Sequence, residues 1–369
     1  MSYVETAVPS RGVRALSLLL LSFRVQWFFF LIPAVYMFTN WLMLSRIESY
    51  REAPVMAVLM GLLSFTLPVG LIVMLVLRLA QYVLIEKPDS PVKALVSDLV
   101  SLVTRPALII NALPVFAAMI FFNKAMFELK PAIPVINPFS WDVALMEWDR
   151  VLHFGFDPWV LLQPLLGHDI VTFAINIAYN FWFVALFGAW FWFGFMRQAS
   201  ALRARFFLSY MIAWWIGGGL LAVAFSSAGP VYFDELGLSP DPYVGLFAYL
   251  NDANTRIPLW FLETQQLLWD GYTGKTAALG ISAMPSMHNA SAALFALAFF
   301  QVNRKVGWFF AIYAAVILVG SVHLGWHYAI DGYAGIAIAF ASWWIAGPVA
   351  RLVTGTEAAK RYNEGLAAL

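Results

Sequence analysis

Apolar runs of about 20 residues recur along this chain, and that length is what a helix needs to cross the hydrocarbon of a bilayer. They fall at roughly 25–44, 55–77, 107–127, 170–195, 206–227, 287–301, 306–327 and 331–351. Only 12% of the residues are charged and 62% are hydrophobic, where a soluble domain carries roughly a quarter charged. A surface that apolar needs lipid to cover it. The sequence therefore predicts an all-α polytopic membrane helix bundle of about eight transmembrane helices. The chain has no cysteine, which excludes disulfides, iron–sulfur clusters and thiol chemistry, and its net charge of +1 gives no argument for a nucleic-acid partner.

Lysine and arginine set the expected orientation. With the N-terminus in the cytoplasm, fourteen of them lie on the cytoplasmic side and seven on the other, mostly in long loops; Arg24 falls within the first span. Both termini are then cytoplasmic. Arg11 and Arg14 precede the first span without a small-residue cleavage site behind it, so that segment is expected to stay as an anchor. WDRVLHFGFDPW (148–159) mixes aromatic and charged residues at amphipathic spacing and reads as an interfacial helix and turn. SSAGPVYFDELG (226–237) ends a span with Gly-Pro and reads as a helix stop and loop.

Three of the five histidines, His288, His323 and His327, fall at membrane edges in the last third of the chain. His288 lies in Pro285-Ser286-Met287-His288 at the mouth of a span. Pro285 suits the first helical turn, where its missing N–H costs nothing. The residues after it then bring free backbone N–H groups to a helix N-terminus, an end that favours an anion. That makes a phosphate cradle with a histidine beside it; the plain alternative is a helix start with an interfacial histidine. His327 and Asp331 are four apart and share a face if the helix reaches that far. A carboxylate on one imidazole nitrogen fixes the tautomer and prepares the other nitrogen as nucleophile or base. Asp331 also suits a cap on the last span, and His323 stands one turn deeper on the same face. One histidine can thus attack phosphorus while the other protonates the leaving oxygen, a pairing that needs no metal.

These blocks resemble those of the type 2 phosphatidic acid phosphatase superfamily of membrane phosphatases and phosphotransferases. The likeness rests on Pro285–His288 and on His327-Tyr328-Ala329-Ile330-Asp331, with 38 residues between that hold one loop and one span. It covers roughly residues 105–350. It implies a two-span addition over 1–104, a six-span phosphatase-type core over 105–352 with outer loops at 128–169 and 228–286, and a cytoplasmic tail over 353–369. It implies His327 as the nucleophile that forms a phosphohistidine, Asp331 as its orienting partner, and His288 as general acid and then base. Ser286 would bind the phosphate oxygens, with Pro285, His323, Tyr328, Lys275, Gly229 and Pro230 also lining the substrate site. The family uses no metal and no cofactor; its partners here would be a lipid substrate and an alcohol or water acceptor.

The chain also departs from that pattern. The family's first block, Lys then six residues then Arg-Pro, is missing: the one Arg-Pro is Arg105-Pro106, on the cytoplasmic side, with Asp98 at the lysine position. The arginine six residues before the second histidine is Ser321 here. Fewer cations suit a singly charged phosphodiester better than a doubly charged monoester, unless Lys275 or Arg256 of the outer loop replaces them. The same departures resemble the inositol phosphorylceramide synthase branch, which moves a phosphorylated head group between lipids; SSAGPVYF and WDRVLHFGFDP stand where that branch has matching elements. The expectation is a lipid phosphotransferase in a bacterial inner membrane with its site facing the periplasm. Alternatives are a phosphatase of the same superfamily, a channel or transporter using the edge histidines, and a zinc site built from His288, His323, His327 and Asp331.

Overall fold

The computed structural model describes residues 11–45, 47, 64, 67–276 and 279–369, and holds no strand among them. In chain order the helices are α1 (Arg11–Val25), α2 (Leu31–Leu44, entered through a 3-10 turn at Trp27–Phe30), α3 (Leu67–Gln81), α4 (Pro91–Thr104), α5 (Pro106–Ile136), α6 (Asp142–Leu152), α7 (Pro158–Leu166) and α8 (Asp169–Gly194). Then come α9 (Ala201–Trp215, continued through a π-turn to Ala224), α10 (Val244–Arg256), α11 (Trp260–Tyr272), α12 (Met287–Phe300), α13 (Arg304–His323), α14 (Ala329–Thr354) and α15 (Glu357–Ala367).

Six stretches among the described residues are long and apolar enough to cross a membrane: Trp27–Leu44, α5, α8, Ala201–Ala224, α13 and α14. Helix α12 is apolar but only 14 residues long. The expected span at 55–77 lies largely outside the described residues, and α3 takes up the chain at Leu67. Phe38, Trp41, Ile72, Trp308, Ile312, Trp344 and Leu352 are exposed on the flanks of these helices, as lipid-facing side chains are. The polytopic all-α bundle is therefore what the chain forms.

Helix α12 sits at the centre. Its sequence MHNASAALFALAFF is apolar all round, and nearly every residue is buried. Its alanines let α13, α14 and α9 approach closely. Asn289 Nδ2 lies 3.3 Å from Ser321 Oγ, so the start of α12 is level with the last turn of α13.

A buried polar knot marks one end of the bundle. The Arg203 guanidinium donates to Gln26 Oε1 (2.5 Å) and the Asn111 carbonyl (2.7 Å), and Tyr362 bonds Asn111 Oδ1 (3.3 Å). This gathers the starts of α5 and α9, the α1–α2 junction and α15. The histidine blocks lie at the opposite end.

Some expected boundaries move. Helix α5 continues to Ile136, so the first residues of the expected loop 128–169 are helical, and that loop also carries α6 and α7. The loop 228–286 carries α10 and α11. The span expected at 306–327 stops at His323, because Gly325 takes a positive φ of 71° that continues no helix.

Candidate active site

Three segments converge at this end: the loop 226–230 after α9, the approach to α12, and the turn from α13 into α14. Main-chain bonds join them. Ala283 N donates to the Ser227 carbonyl (2.9 Å), Val231 N to Gly325 (3.0 Å) and Ser286 N to Asp331 (2.9 Å). Gly229 is needed where it stands: its φ is +101°, and a Cβ there would meet the Trp326 carbonyl oxygen at 2.7 Å.

His327 lies in the turn before α14, not on a helix, so its pairing with Asp331 does not come from a shared helical face. It comes from the cap. Asp331, at the third helical position, accepts the Tyr328 N–H at 3.0 Å through Oδ2, and the same oxygen lies 3.3 Å from His327 Nδ1. With Nδ1–H directed at the carboxylate, Nε2 carries the lone pair. Asp331 is fully buried and His327 is 8% exposed, so the pair is largely shielded from solvent.

Pro285 does not occupy the first helical turn. It precedes Ser286, which is the N-cap of α12: Ser286 Oγ accepts from Asn289 N and from Asn289 Nδ2 (3.0 Å). The main-chain N–H groups of Met287 and His288 stand at the open end of α12. The His288 ring packs against an aromatic wall from α8, with its centroid 4.8 Å from Tyr179 and 4.2 Å from Trp182. Tyr179 also lies parallel to Trp326 at 6.3 Å, which places its ring between the two histidine blocks.

Helix α6 holds this assembly from behind with two carboxylates seven residues apart, hence on one face. Asp142 accepts from Ala228 N, Gly229 N (2.8 Å) and the Tyr328 hydroxyl (2.9 Å). Asp149 accepts from Ala329 N (2.7 Å) and Ile330 N (2.8 Å) and so fills the N-terminus of α14. That decides which helix end is open to a phosphate: α14 already has its anion, and α12 does not. Burial raises the Asp149 carboxyl to about 6 despite the two amide bonds, with the Asp331 charge adding to the rise and His153 opposing it. Burial also raises Asp142, against the amides and the Tyr328 hydroxyl that favour its charge.

The remaining expected site residues fall elsewhere. His323 does not share a face with His327: its Nε2 lies 2.9 Å from Thr172 Oγ1, beside Tyr249. The four residues of the zinc alternative accordingly do not gather, and no group of three such ligands occurs among the described residues. The Tyr328 hydroxyl is occupied by Asp142, and the Gly229 N–H likewise; both shape the seat rather than face it. Pro230 opens a 3-10 turn behind it. Lys275 is exposed and paired with Asp270 at 3.0 Å, and Arg256 is held by Asp169 and Asp252. Ser321 is fully buried against Asn289, and Arg105 caps α5 at the far end. Asp142, Asp149, Tyr179, Trp182 and Asn289 escape a reading of the sequence. The signal for the first two is a pair of acids in register with the apolar residues Leu145 and Met146 on α6, a pattern that marks buried carboxylates rather than a solvated face.

No curated protein and no solved structure matches the chain. A family model described as the PAP2 superfamily matches residues 143–345, more than half of the chain and both histidine blocks. The chain belongs to the PAP2 superfamily, the type 2 phosphatidic acid phosphatases whose histidine blocks its own resemble.

Proposed function

We propose that the protein is a membrane lipid phosphotransferase that works through a phosphohistidine. Members of the superfamily generally act on phosphate esters as phosphatases or phosphotransferases. The observation that carries the reading is the His327 Nδ1–Asp331 contact, with His288 on the aromatic wall of the same seat and an unfilled helix N-terminus beside it.

The α12 amides of Met287 and His288, with the Ser286 hydroxyl, take the non-bridging oxygens. The His327 Nε2 lone pair attacks phosphorus, and the bond to the departing lipid oxygen breaks. Protonated His288 gives that oxygen its proton. An acceptor hydroxyl then loses its proton to His288, its oxygen attacks phosphorus, and the N–P bond breaks, returning the electron pair to His327. Asp331 stabilises the charge on the imidazole in both halves.

An alcohol acceptor is favoured over water by the burial of His327 and by the apolar aromatic wall of Tyr179 and Trp182 on His288. The missing cations and the 148–159 and 226–233 segments support the inositol phosphorylceramide synthase-like branch. The Lys and Arg asymmetry supports both termini in the cytoplasm with the site on the outer face, and the compact loops and Ala-, Trp- and Phe-rich spans support a bacterial inner membrane, which puts the site toward the periplasm.

The test is mass spectrometry of purified protein quenched in alkali after brief exposure to a fluorescent phosphodiester lipid, and then to its phosphomonoester. A modified His327 from the diester, and a new lipid when an alcohol is added, establish the transferase. Phosphate release with no transfer product makes the protein a hydrolase instead. No adduct from either lipid in folded protein overturns the mechanism, and flux across sealed vesicles then decides for a transporter.

A further inference from the structure

The site lacks the arginines and lysine of the blocks it resembles, so its phosphate charge must be met otherwise. All but one of the lysines and arginines described at this end of the bundle are paired with a carboxylate. Lys124 is paired with Glu128, Arg150 with Asp157 at 2.8 Å, Arg256 with Asp169 and Asp252, and Lys275 with Asp270. Lys130 is the exception among the described residues: no carboxylate acts on it.

Lys130 stands in the last turns of α5, within electrostatic reach of the His288 imidazole. It is fixed there by the segment that leads into α12. Gly280, at φ +86°, packs on Lys130 so closely that a Cβ would lie 2.6 Å from its carbonyl carbon and 2.8 Å from its Cγ. The aromatic wall supplies a second set of unused groups. The Tyr179 hydroxyl and the indole N–H groups of Trp182 and Trp326 are buried without a hydrogen-bond partner, although buried donors of this kind are nearly always paired. Their rings pack around His288 and just before His327.

We infer that the phosphate group is held by a single cation, Lys130, together with the neutral donors of Tyr179 and Trp326, and that the site therefore takes a singly charged phosphodiester. One ammonium balances one charge. Neutral O–H and N–H donors orient the oxygens without attracting the second charge of a monoester. The inference rests on the proposed phosphohistidine reading and names the groups that would bind its substrate.

The experiment uses the full chain in lipid nanodiscs, with fluorescent phosphodiester and phosphomonoester lipids as substrates and orthovanadate as the anion probe. Lys130→Met is expected to lower diester kcat/KM by about 100-fold, and Lys130→Arg to restore it to within about tenfold. Tyr179→Phe keeps the ring stack and is expected to cost about tenfold. Vanadate inhibition should weaken in step with each. Wild-type protein that labels His327 while Lys130→Met and Tyr179→Phe both keep kcat/KM and vanadate affinity within about twofold overturns the inference and leaves the phosphohistidine intact. Equal or better use of the monoester overturns the charge argument. Wild-type protein that neither labels nor binds vanadate removes the functional reading and the inference with it. If Lys130→Met fails to fold, Lys130→Arg and Tyr179→Phe still decide.

Discussion

Replacing Asp149 with Asn should make the protein more stable at neutral pH and less active. The carboxylate is 1% exposed, and burial lifts its pKa from 3.8 to about 6. A rise of that size is about 3 kcal/mol against the ionised form, at 1.36 kcal/mol per pH unit. A raised carboxyl pKa means the folded state holds the proton more tightly than the unfolded one. The stability this group contributes is therefore fully present below 3.8 and is lost as pH rises through 6. Near pH 4, the protonated Asp149 carboxyl and the carboxamide that replaces it are close equivalents, since each offers one carbonyl oxygen to the Ala329 and Ile330 amides. Near pH 7 the wild type bears the penalty of a buried charge and the variant does not. Asp331 adds to that penalty, His153 reduces it, and Tyr243 and Tyr333 stand within electrostatic reach of the same carboxylate.

Thermal unfolding in one detergent, at a series of pH values, measures the difference. With an unfolding entropy of roughly 2 cal/mol/K per residue, about 3 kcal/mol corresponds to about 4 °C for a chain of this length. The melting temperature of Asp149→Asn minus that of wild type should be near zero at pH 4 and rise to about +4 °C by pH 7. Activity should fall about tenfold, because one of the two amides at the start of α14 loses its acceptor and the cap that aligns His327 loosens. A melting difference that stays flat from pH 4 to 7 would refute the reasoning.

Three further perturbations test other parts of the site and its frame. Asp331→Asn removes the carboxylate behind His327 Nδ1 and should lower kcat by about 10²–10⁴-fold with folding retained, read by single-turnover labelling of His327. Gly229→Ala forces a Cβ into the Trp326 carbonyl from a positive φ and should cost about 2 kcal/mol or more, read as a lower melting temperature together with lost activity. Arg203→Met opens the polar knot at the far end. It should destabilise by about 1–3 kcal/mol and leave the KM of any lipid substrate unchanged, since that end is remote from the histidines.

The membrane class and both histidine blocks were legible in the sequence because each is a local signal. A run of about 20 apolar residues has one physical solution, and Ser286 and Asp331 are at residue types and positions that favour caps. The His327–Asp331 pairing was legible for a reason that turned out different. Four-residue spacing suggests a helical face, but Gly325 ends α13 two residues after His323, and the contact is made through the cap of the next helix. The same break sends His323 away to Thr172. What stayed hidden depends on contacts between distant segments. Nothing within WDRVLHFGFDPW says that Asp149 will meet the amides of residues 329 and 330, 180 and 181 positions along the chain. An amphipathic helix with acids near its apolar face fits a membrane interface as well as a protein one, and only the fold separates the two.

The three buried acids of this site also bear on the proposed preference for a diester. Asp142, Asp149 and Asp331 have no lysine or arginine partner among the described residues and rely on amides, a hydroxyl and an imidazole. Such donors make a carboxylate tolerable but leave its field in place, and the raised Asp149 carboxyl shows the Asp331 charge already acting on it. A dianionic monoester brought against His327 would add two charges to that field, with Lys130 alone to offset them. A diester would add one. At an effective dielectric near 20 and a separation near 8 Å, each additional charge costs about 2 kcal/mol per carboxylate. On the proposed reading, the carboxylates that hold the histidine blocks in place would therefore work against a monoester, in the same direction as the missing cations.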